Sequence, residues 1–213
     1  MKHEVTKESL NKITAGVRRI AQAYKAYQEG MNLGEDQAMY SAQHLQKLAD
    51  QKLEALVEAA RNQEDNFTKE IEKAQKAELE NARVLDMADP RIPGTLDTIK
   101  NVKITPRLLE VIVSAFIGEA AALDLLREAL NTKGVEIPDY MKPWFFNPEN
   151  LFDKLDEALA ALVVDPRNIS SYFAAVDQIE RIGKVLGIDQ VDLNVGLDRG
   201  EYVEQSLRSV MGI

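Results

Sequence analysis

The apolar residues near the start of the chain recur at alternating intervals of three and four, which is the period of a helix that buries one side. The series is unbroken over three heptads: Leu10, Ile13, Val17, Ile20, Tyr24, Tyr27 and Met31. This spacing is typical of the seam of a left-handed coiled coil. It predicts a first helix of about 24 residues, roughly 36 Å long, that begins near a capping Thr6.

A second, longer helix is predicted from about residue 35 to residue 88, after a turn marked by Gly30, Asn32 and Gly34. Its apolar residues recur every eleven positions, a period that favours a straight helix or a weak right-handed supercoil. At roughly 80 Å, this helix would extend well beyond the first one. Its outer half carries only a thin apolar stripe, which includes Phe67 and Ile71, so we expect another copy of the chain to cover that stripe.

The rest of the chain has a different composition, because all seven prolines lie beyond residue 89. Thr105-Pro106 and Asn147-Pro148 each place a capping residue before a proline, which indicates the start of a helix. Gly187 indicates a helix end. Helices are predicted over residues 106–132, 147–164, 168–186 and 199–211.

The expected fold class is therefore all-α. A helical hairpin or coiled-coil arm is predicted over residues 1–88, and a linker marked by proline and glycine over residues 89–104. A helical bundle domain is predicted over residues 105–213. A change of composition of this kind usually marks a boundary between two architectures.

One loop of the predicted bundle, residues 138–149 (PDYMKPWFFNPE), holds four of the thirteen aromatic residues in the chain. These four residues are Tyr140, Trp144, Phe145 and Phe146. The loop could fold back over the core of the bundle, since burial of large rings is strongly favourable. It could also serve as a rigid docking site, since aromatic clusters are frequent anchors at protein interfaces. The sequence leaves both alternatives open.

Composition and charge narrow the classes of function. The formal net charge of −9 argues against general binding of nucleic acid. The absence of cysteine excludes disulfides and thiolate ligands. The first residues lack the apolar segment of a secretory signal, and the most apolar stretch, residues 108–130, carries too many charges for a membrane span. We expect a cytoplasmic protein, or a component of a particle assembled in the cytoplasm, without a membrane partner.

A basic stripe runs along the first predicted helix, within a segment that is positive in an otherwise acidic chain. Its members are Lys12, Arg18, Arg19 and Lys25, and residues 1–25 together carry a net charge of +4. The stripe could contact an acidic partner, or it could be a solvated face that complements the acidic remainder of the molecule. The second interpretation is favoured, since four charges without interleaved aromatics do not make a binding signature.

Residues capable of catalysis or metal binding are few. Neither His3 nor His44 has a partner at metal-ligand spacing. The oxygen-rich segment from Asp189 to Asp198 lacks the glycine and glutamate positions of a calcium loop, which favours turns and caps instead. These patterns predict no metal site and no cofactor.

Glu119 is the one carboxylate that falls on the apolar side of the predicted helix 106–132. It could be a general acid or base, or it could be half of an internal ion pair. Arg107, Arg127 and Arg181 are the possible mates. Without a nucleophile motif or a phosphate-binding loop, the ion pair is favoured.

The expected function is that of a non-enzymatic, self-associating structural or assembly protein, scaffold-like in character, with no catalytic residues. Its oligomer contacts are expected at Leu10, Ile13, Val17, Ile20, Tyr24, Tyr27, Leu56, Phe67 and Ile71. A second protein partner is expected at Tyr140, Trp144, Phe145 and Phe146. Acidic, cysteine-free coiled-coil chains of this style occur among scaffolding and virion-assembly proteins of phages, although no motif supports that likeness. The alternatives are a regulatory adaptor that binds protein through the 138–149 loop, and a helical enzyme that uses Glu119.

Overall fold

The computed structural model describes residues 2–32, 42–82 and 89–200, and within these ranges the chain forms helices and no strands. The α-helices are α1 (Glu4–Asn32), α2 (Ala42–Ala82), α3 (Arg91–Asn101), α4 (Pro106–Ser114), α5 (Ala120–Thr132), α6 (Asp153–Val164) and α7 (Ile169–Leu186). Two short 3-10 turns, Lys142–Trp144 and Pro148–Asn150, lie between α5 and α6. The expected all-α class is confirmed, including a long helix pair in which α1 and α2 pack against each other. The predicted helix 199–211 and both ends of the predicted helix 35–88 lie largely outside the described residues.

The chain divides into two compact units. The first comprises the described residues of 1–9, 71–153 and 180–191, and the second comprises those of 10–70, 154–179 and 192–213. Each unit draws on residues of both the predicted arm and the predicted bundle, and the predicted linker includes α3. The domain boundaries inferred from composition stay a prediction.

In the second unit, α1 and α2 run antiparallel. Gly30 of α1 lies against Lys52 of α2, and Gly16 lies against Phe67. The heptad residues from Leu10 to Tyr24 form part of the core of this unit, and Leu10, Ile13, Val17 and Ile20 are each at most 1% exposed. The end of the series is not buried, since Tyr27 is half-buried and Met31 is 53% exposed. The ring of Tyr24 lies 5.5 Å from the ring of Tyr172 on α7, which joins the later helices to the same core.

In the first unit, α3, α4 and α5 surround a separate apolar cluster, and α3 packs against α5. The fully buried members of the cluster include Val113, Leu123, Leu130 and Met141. The predicted cap at Thr105 is confirmed, since its hydroxyl accepts a hydrogen bond from the backbone N–H of Leu108. This cap stabilises the helix start by about 1 kcal/mol.

The single helix predicted over residues 106–132 is wrong, because the chain breaks between α4 and α5. Gly118 adopts a positive φ of 78°, a conformation that ends a right-handed helix. A Cβ at this position would collide with the carbonyl oxygen of Leu186, so the tertiary contact requires glycine. The helix end predicted at Gly187 is confirmed, since α7 stops at Leu186 and Gly187 has a φ of 64°.

None of the helices in the described part of the chain combines the length and the apolar character that a membrane crossing demands.

Candidate functional site

The aromatic loop, residues 138–149, is anchored in the core of the first unit. Met141 is fully buried there, and Trp144 and Phe145 pack partly buried against the same apolar cluster. One side of the loop therefore covers the core, which is the first of the two alternatives that the sequence left open. Burial of these side chains stabilises the loop by several kcal/mol on the scale of about 25 cal/mol per Å² of apolar surface.

Backbone hydrogen bonds hold the loop in a defined shape. The N–H of Met141 donates to the carbonyl of Pro138 at 2.9 Å, and the N–H of Trp144 donates to the carbonyl of Met141 at 3.0 Å. The side chain of Asn147 accepts a bond from the N–H of Glu149 and caps the second 3-10 turn. The loop therefore has little conformational freedom to lose on binding.

A side-chain contact ties the loop to α2. The Nε2 of Gln75 donates to the carbonyl oxygen of Glu149 at 2.9 Å. The predicted helix start at Asn147-Pro148 is partly right. The cap forms, but it initiates a single 3-10 turn, and α6 begins only at Asp153.

The other side of the loop faces solvent. Tyr140 is 59% exposed, although it is adjacent to the fully buried Met141. Beside it, Lys142 and Asp139 form an exposed ion pair of 2.5 Å, and the Lys142 hydrogen bond lowers the pKa of Asp139. A cleft of about 350 Å³ opens between the loop and the end of α5, with Phe145 and Ile137 in its lining. The loop thus presents one free ring and several half-buried ones on an ordered backbone.

The residues expected at an oligomer contact lie in the protein's own core. The exposed fractions are at most 6% for Leu10, Ile13, Val17, Ile20, Tyr24, Leu56, Phe67 and Ile71, and Tyr27 is half-buried. Phe67 and Ile71, from the outer stripe of α2 that was expected to need a sister chain, are therefore covered within one chain. Homo-oligomerisation through these residues stays a prediction.

Glu119 lies in the interruption between α4 and α5 and forms an ion-pair cluster. Its Oε1 accepts a hydrogen bond from Nη2 of Arg91 at 2.9 Å, and its Oε2 lies 3.5 Å from Nζ of Lys2. Arg91 also binds Asp89 at 2.6 Å, and this hydrogen bond lowers the pKa of that carboxyl. The favoured internal ion pair is thus present, but the mates proposed from the sequence (Arg107, Arg127 and Arg181) are not the ones found.

A second polar cluster ties the start of α1 to α2 and was not expected from the sequence. Glu78 is buried, with 2% of its side chain exposed. Nδ1 of His3 lies 2.9 Å from each carboxylate oxygen of Glu78, and the hydroxyl of Thr6 donates to the same carboxylate. His3 is therefore a structural partner of a buried acid, and Thr6 lies inside α1 and does not cap it. The one sequence signal for this cluster is the apolar period of α2, which places Glu78 on the buried face of that helix.

Two of the four residues in the basic stripe of α1 are bound within the chain. Lys12 lies 3.4 Å from Glu70, and Arg18 donates to Asp192 and to the carbonyl of Asn194 at 2.6 Å each. The Arg18 hydrogen bond lowers the pKa of Asp192. For these two residues, the complementary face favoured from the sequence is confirmed.

The oxygen-rich segment forms turns, as predicted. Each of three side chains accepts a hydrogen bond from the backbone N–H two residues later: Asp192 from Asn194, Asn194 from Gly196, and Asp198 from Gly200. These bonds are characteristic of Asx turns. The described residues contain no group of three or more metal-ligating side chains.

Comparison with known proteins adds no family to this picture. No protein-family model matches the chain, and no curated protein and no solved structure is significantly similar to it.

Proposed function

We propose that this chain is a non-enzymatic structural protein that acts by binding other protein chains, with the aromatic loop of residues 138–149 as its docking surface. One observation supports this most strongly: the loop is immobilised by the core through Met141, yet it exposes Tyr140 beside half-buried Trp144, Phe145 and Phe146. Aromatic residues on a fixed backbone are favoured anchors at interfaces, because they bury a large area at low entropic cost.

Self-association belongs to the same proposal. Because the heptad residues from Leu10 to Tyr24 are buried within the chain, we expect a homo-oligomer to form through other surfaces, such as the outward faces of α1 and α2. A role in the assembly of a larger particle, such as that of phage scaffolding or virion proteins, is a hypothesis that rests on composition alone.

A site-specific cross-link tests the docking surface. A photoreactive amino acid is introduced at Tyr140 in cells that make the protein, and the matched control carries it at Val164, which is 84% exposed in the second unit. We expect one protein to be cross-linked from position 140 and not from position 164.

The protein captured in this way is then purified and its affinity measured. Tyr140→Ser should weaken its binding by about tenfold or more, a typical effect at an interface anchor, and should leave the melting temperature unchanged because the ring is exposed. If positions 140 and 164 capture the same proteins, or if Tyr140→Ser and Phe146→Ser both bind with wild-type affinity, the proposal is wrong.

A further inference from the structure

Part of the basic stripe of α1 lines a cleft that contains no residue of the aromatic loop. The cleft has a volume of about 470 Å³ and lies in the second unit. Its lining includes Arg18, Gln22 and Lys25 of α1, together with Asp192, Asn194 and Gly196. Two cations, Arg18 and Lys25, and one carboxylate, Asp192, line it, so the cleft is positive on balance in a chain whose net charge is −9.

The cleft retains capacity to bind a carboxylate. Two N–H donors of Arg18, on Nε and Nη2, are bonded to Asn194 and Asp192. A guanidinium carries five such donors, so others remain for an incoming group, and the two bonds fix the plane in which they point. Lys25 is exposed and forms no ion pair among the described residues. An acidic group that enters would meet an oriented guanidinium and an ammonium that has no ion-pair partner in the described part of the chain.

An acidic row on α2 carries charge of the opposite sign to that of the cleft. Asp50, Glu54 and Glu58 are exposed and recur every four residues, so their carboxylates lie one above the other on the solvent side of the helix. Within the described residues, neither Glu54 nor Glu58 forms an ion pair, and Asp50 accepts one hydrogen bond from Gln46. Like charges at this spacing repel each other and destabilise an isolated helix. A partner with matching positive charges would relieve that repulsion.

We propose that the basic cleft of one copy of this chain binds the acidic row of a second copy. Arg18 and Lys25 are seven residues apart, roughly 10.5 Å along α1, and Asp50 and Glu58 are eight residues apart, roughly 12 Å along α2. The two surfaces are therefore similar in length and opposite in the sign of their charge, with Gln22 opposite the central Glu54. Both surfaces belong to the same unit and form no pair with each other, so the match requires another molecule.

The contact is heterologous, since a different surface of each copy is used. Such an interface leaves a free cleft at one end and a free row at the other, so further copies can add. This inference rests on the assembly role proposed above, and it names the surface through which the chain would self-associate.

Sedimentation equilibrium of the full chain tests the contact. At 50 mM NaCl we expect a mass that rises with protein concentration, and at 500 mM NaCl we expect a monomer, because salt screens exposed charges. Lys25→Glu should weaken self-association by about tenfold or more, since like charges then face each other. Lys103→Glu, which makes the same charge change at an exposed residue of the first unit, is the matched control and should behave as wild type.

A mixing experiment identifies the two surfaces. Lys25→Glu keeps the acidic row but loses the cleft, whereas the double variant Glu54→Gln, Glu58→Gln keeps the cleft but loses the row. Each variant alone should be a monomer at 50 mM NaCl, and an equimolar mixture should form a 1:1 dimer that grows no further. No isologous contact and no non-specific charge attraction gives that result.

The proposal is overturned if the wild-type chain is monomeric at 50 mM NaCl, if Lys25→Glu and Lys103→Glu associate equally, or if the mixture contains only monomers. Tyr140→Ser separates this contact from the docking surface of the aromatic loop. It should retain salt-sensitive self-association, so the failure of either proposal can be recognised without the other.

Discussion

Gly16 of α1 lies so close to Phe67 of α2 that a Cβ at position 16 would be 2.5 Å from Cε1 of the phenylalanine ring. The missing side chain lets the two helices approach in the middle of the heptad seam, where Ile13, Val17 and Phe67 are all buried. This contact shows why the seam is an intrachain one: its closest point is already filled by the protein's own α2.

Gly16→Ala should destabilise the protein, although alanine is the better helix former. The gain in helix propensity is about 1 kcal/mol, whereas overpacking of a filled core costs about 1–3 kcal/mol. Denaturant unfolding should give a lower free energy of unfolding than wild type. Gly94→Ala is the matched control, because a Cβ there meets nothing within 4 Å, and it should be neutral or stabilising. Equal effects at the two glycines would contradict the close approach.

Gly118→Ala should be more harmful than the same change at Gly134. Both glycines have positive φ, 78° and 70°, so each substitution carries a conformational cost of about 1 kcal/mol. Only at Gly118 does the new Cβ also collide with the carbonyl of Leu186, whereas Gly134 has open space. The difference between the two melting temperatures measures the collision. If the two variants melt together, the contact between the α4–α5 break and Leu186 is not tight.

Arg18 should control the ionisation of Asp192. Its hydrogen bond lowers the carboxyl pKa below the ordinary value of 3.8, so the folded state binds its proton less readily than the unfolded state. The resulting stabilisation is present above pH 3.8 and is lost as the pH falls through the lower folded pKa. NMR titration of the Asp192 carboxyl should show the depressed pKa in wild type and a return towards 3.8 in Arg18→Gln. An unchanged titration in the variant would show that the pair does not form in solution.

Glu119→Gln should cost about 1 kcal/mol or less, because its ion pairs with Arg91 and Lys2 are partly exposed to water. Arg91→Ala should cost more. It removes the bonds to Asp89 and Glu119, a bond to the carbonyl of Ala115, and a guanidinium that lies 5.0 Å from the centre of the Phe116 ring. The free energies of unfolding of the two variants test this order. A larger loss in Glu119→Gln than in Arg91→Ala would show that Glu119 makes a stabilising contact beyond this cluster, and would contradict this account.

Local signals in the sequence were sufficient for most helices. The heptad period located α1, the Thr105-Pro106 pair located the start of α4, and Gly187 located the end of α7. These features act over one or two turns of the chain, where hydrogen bonding and side-chain spacing decide the outcome.

Long-range packing decided what the sequence could not show. A heptad seam is buried in the same way by a segment of its own chain as by a sister chain, so the pattern of α1 could not distinguish the two. The break at Gly118 depends on Leu186, and the pairing of His3 depends on Glu78, 75 residues away. The prediction that Glu119 lies on the apolar side assumes one continuous helix. The break in that helix changes the direction in which the side chain of Glu119 points.

The aromatic loop was found from composition, but its division into an inner and an outer side was not. Proline and aromatic residues marked it as ordered and apolar. The two sides separate just before the 3-10 turn at Lys142–Trp144, where Tyr140 is exposed and Met141, the residue that caps the turn, is buried. A turn of three residues leaves no periodic signal in a sequence.

The apolar residues of α1 from Leu10 to Tyr24 are covered within one chain, and we propose the aromatic loop and the basic cleft as the surfaces that meet other proteins. Hydrogen–deuterium exchange of α1, measured at 500 mM NaCl over a hundredfold range of protein concentration, tests that claim directly. We expect the amides from Leu10 to Tyr24 to be strongly protected at every concentration, because Leu10, Val17 and Ile20 are fully buried in a single copy. Protection that disappears on dilution and returns at high concentration would show that a sister chain covers the stripe, and would contradict the intrachain core.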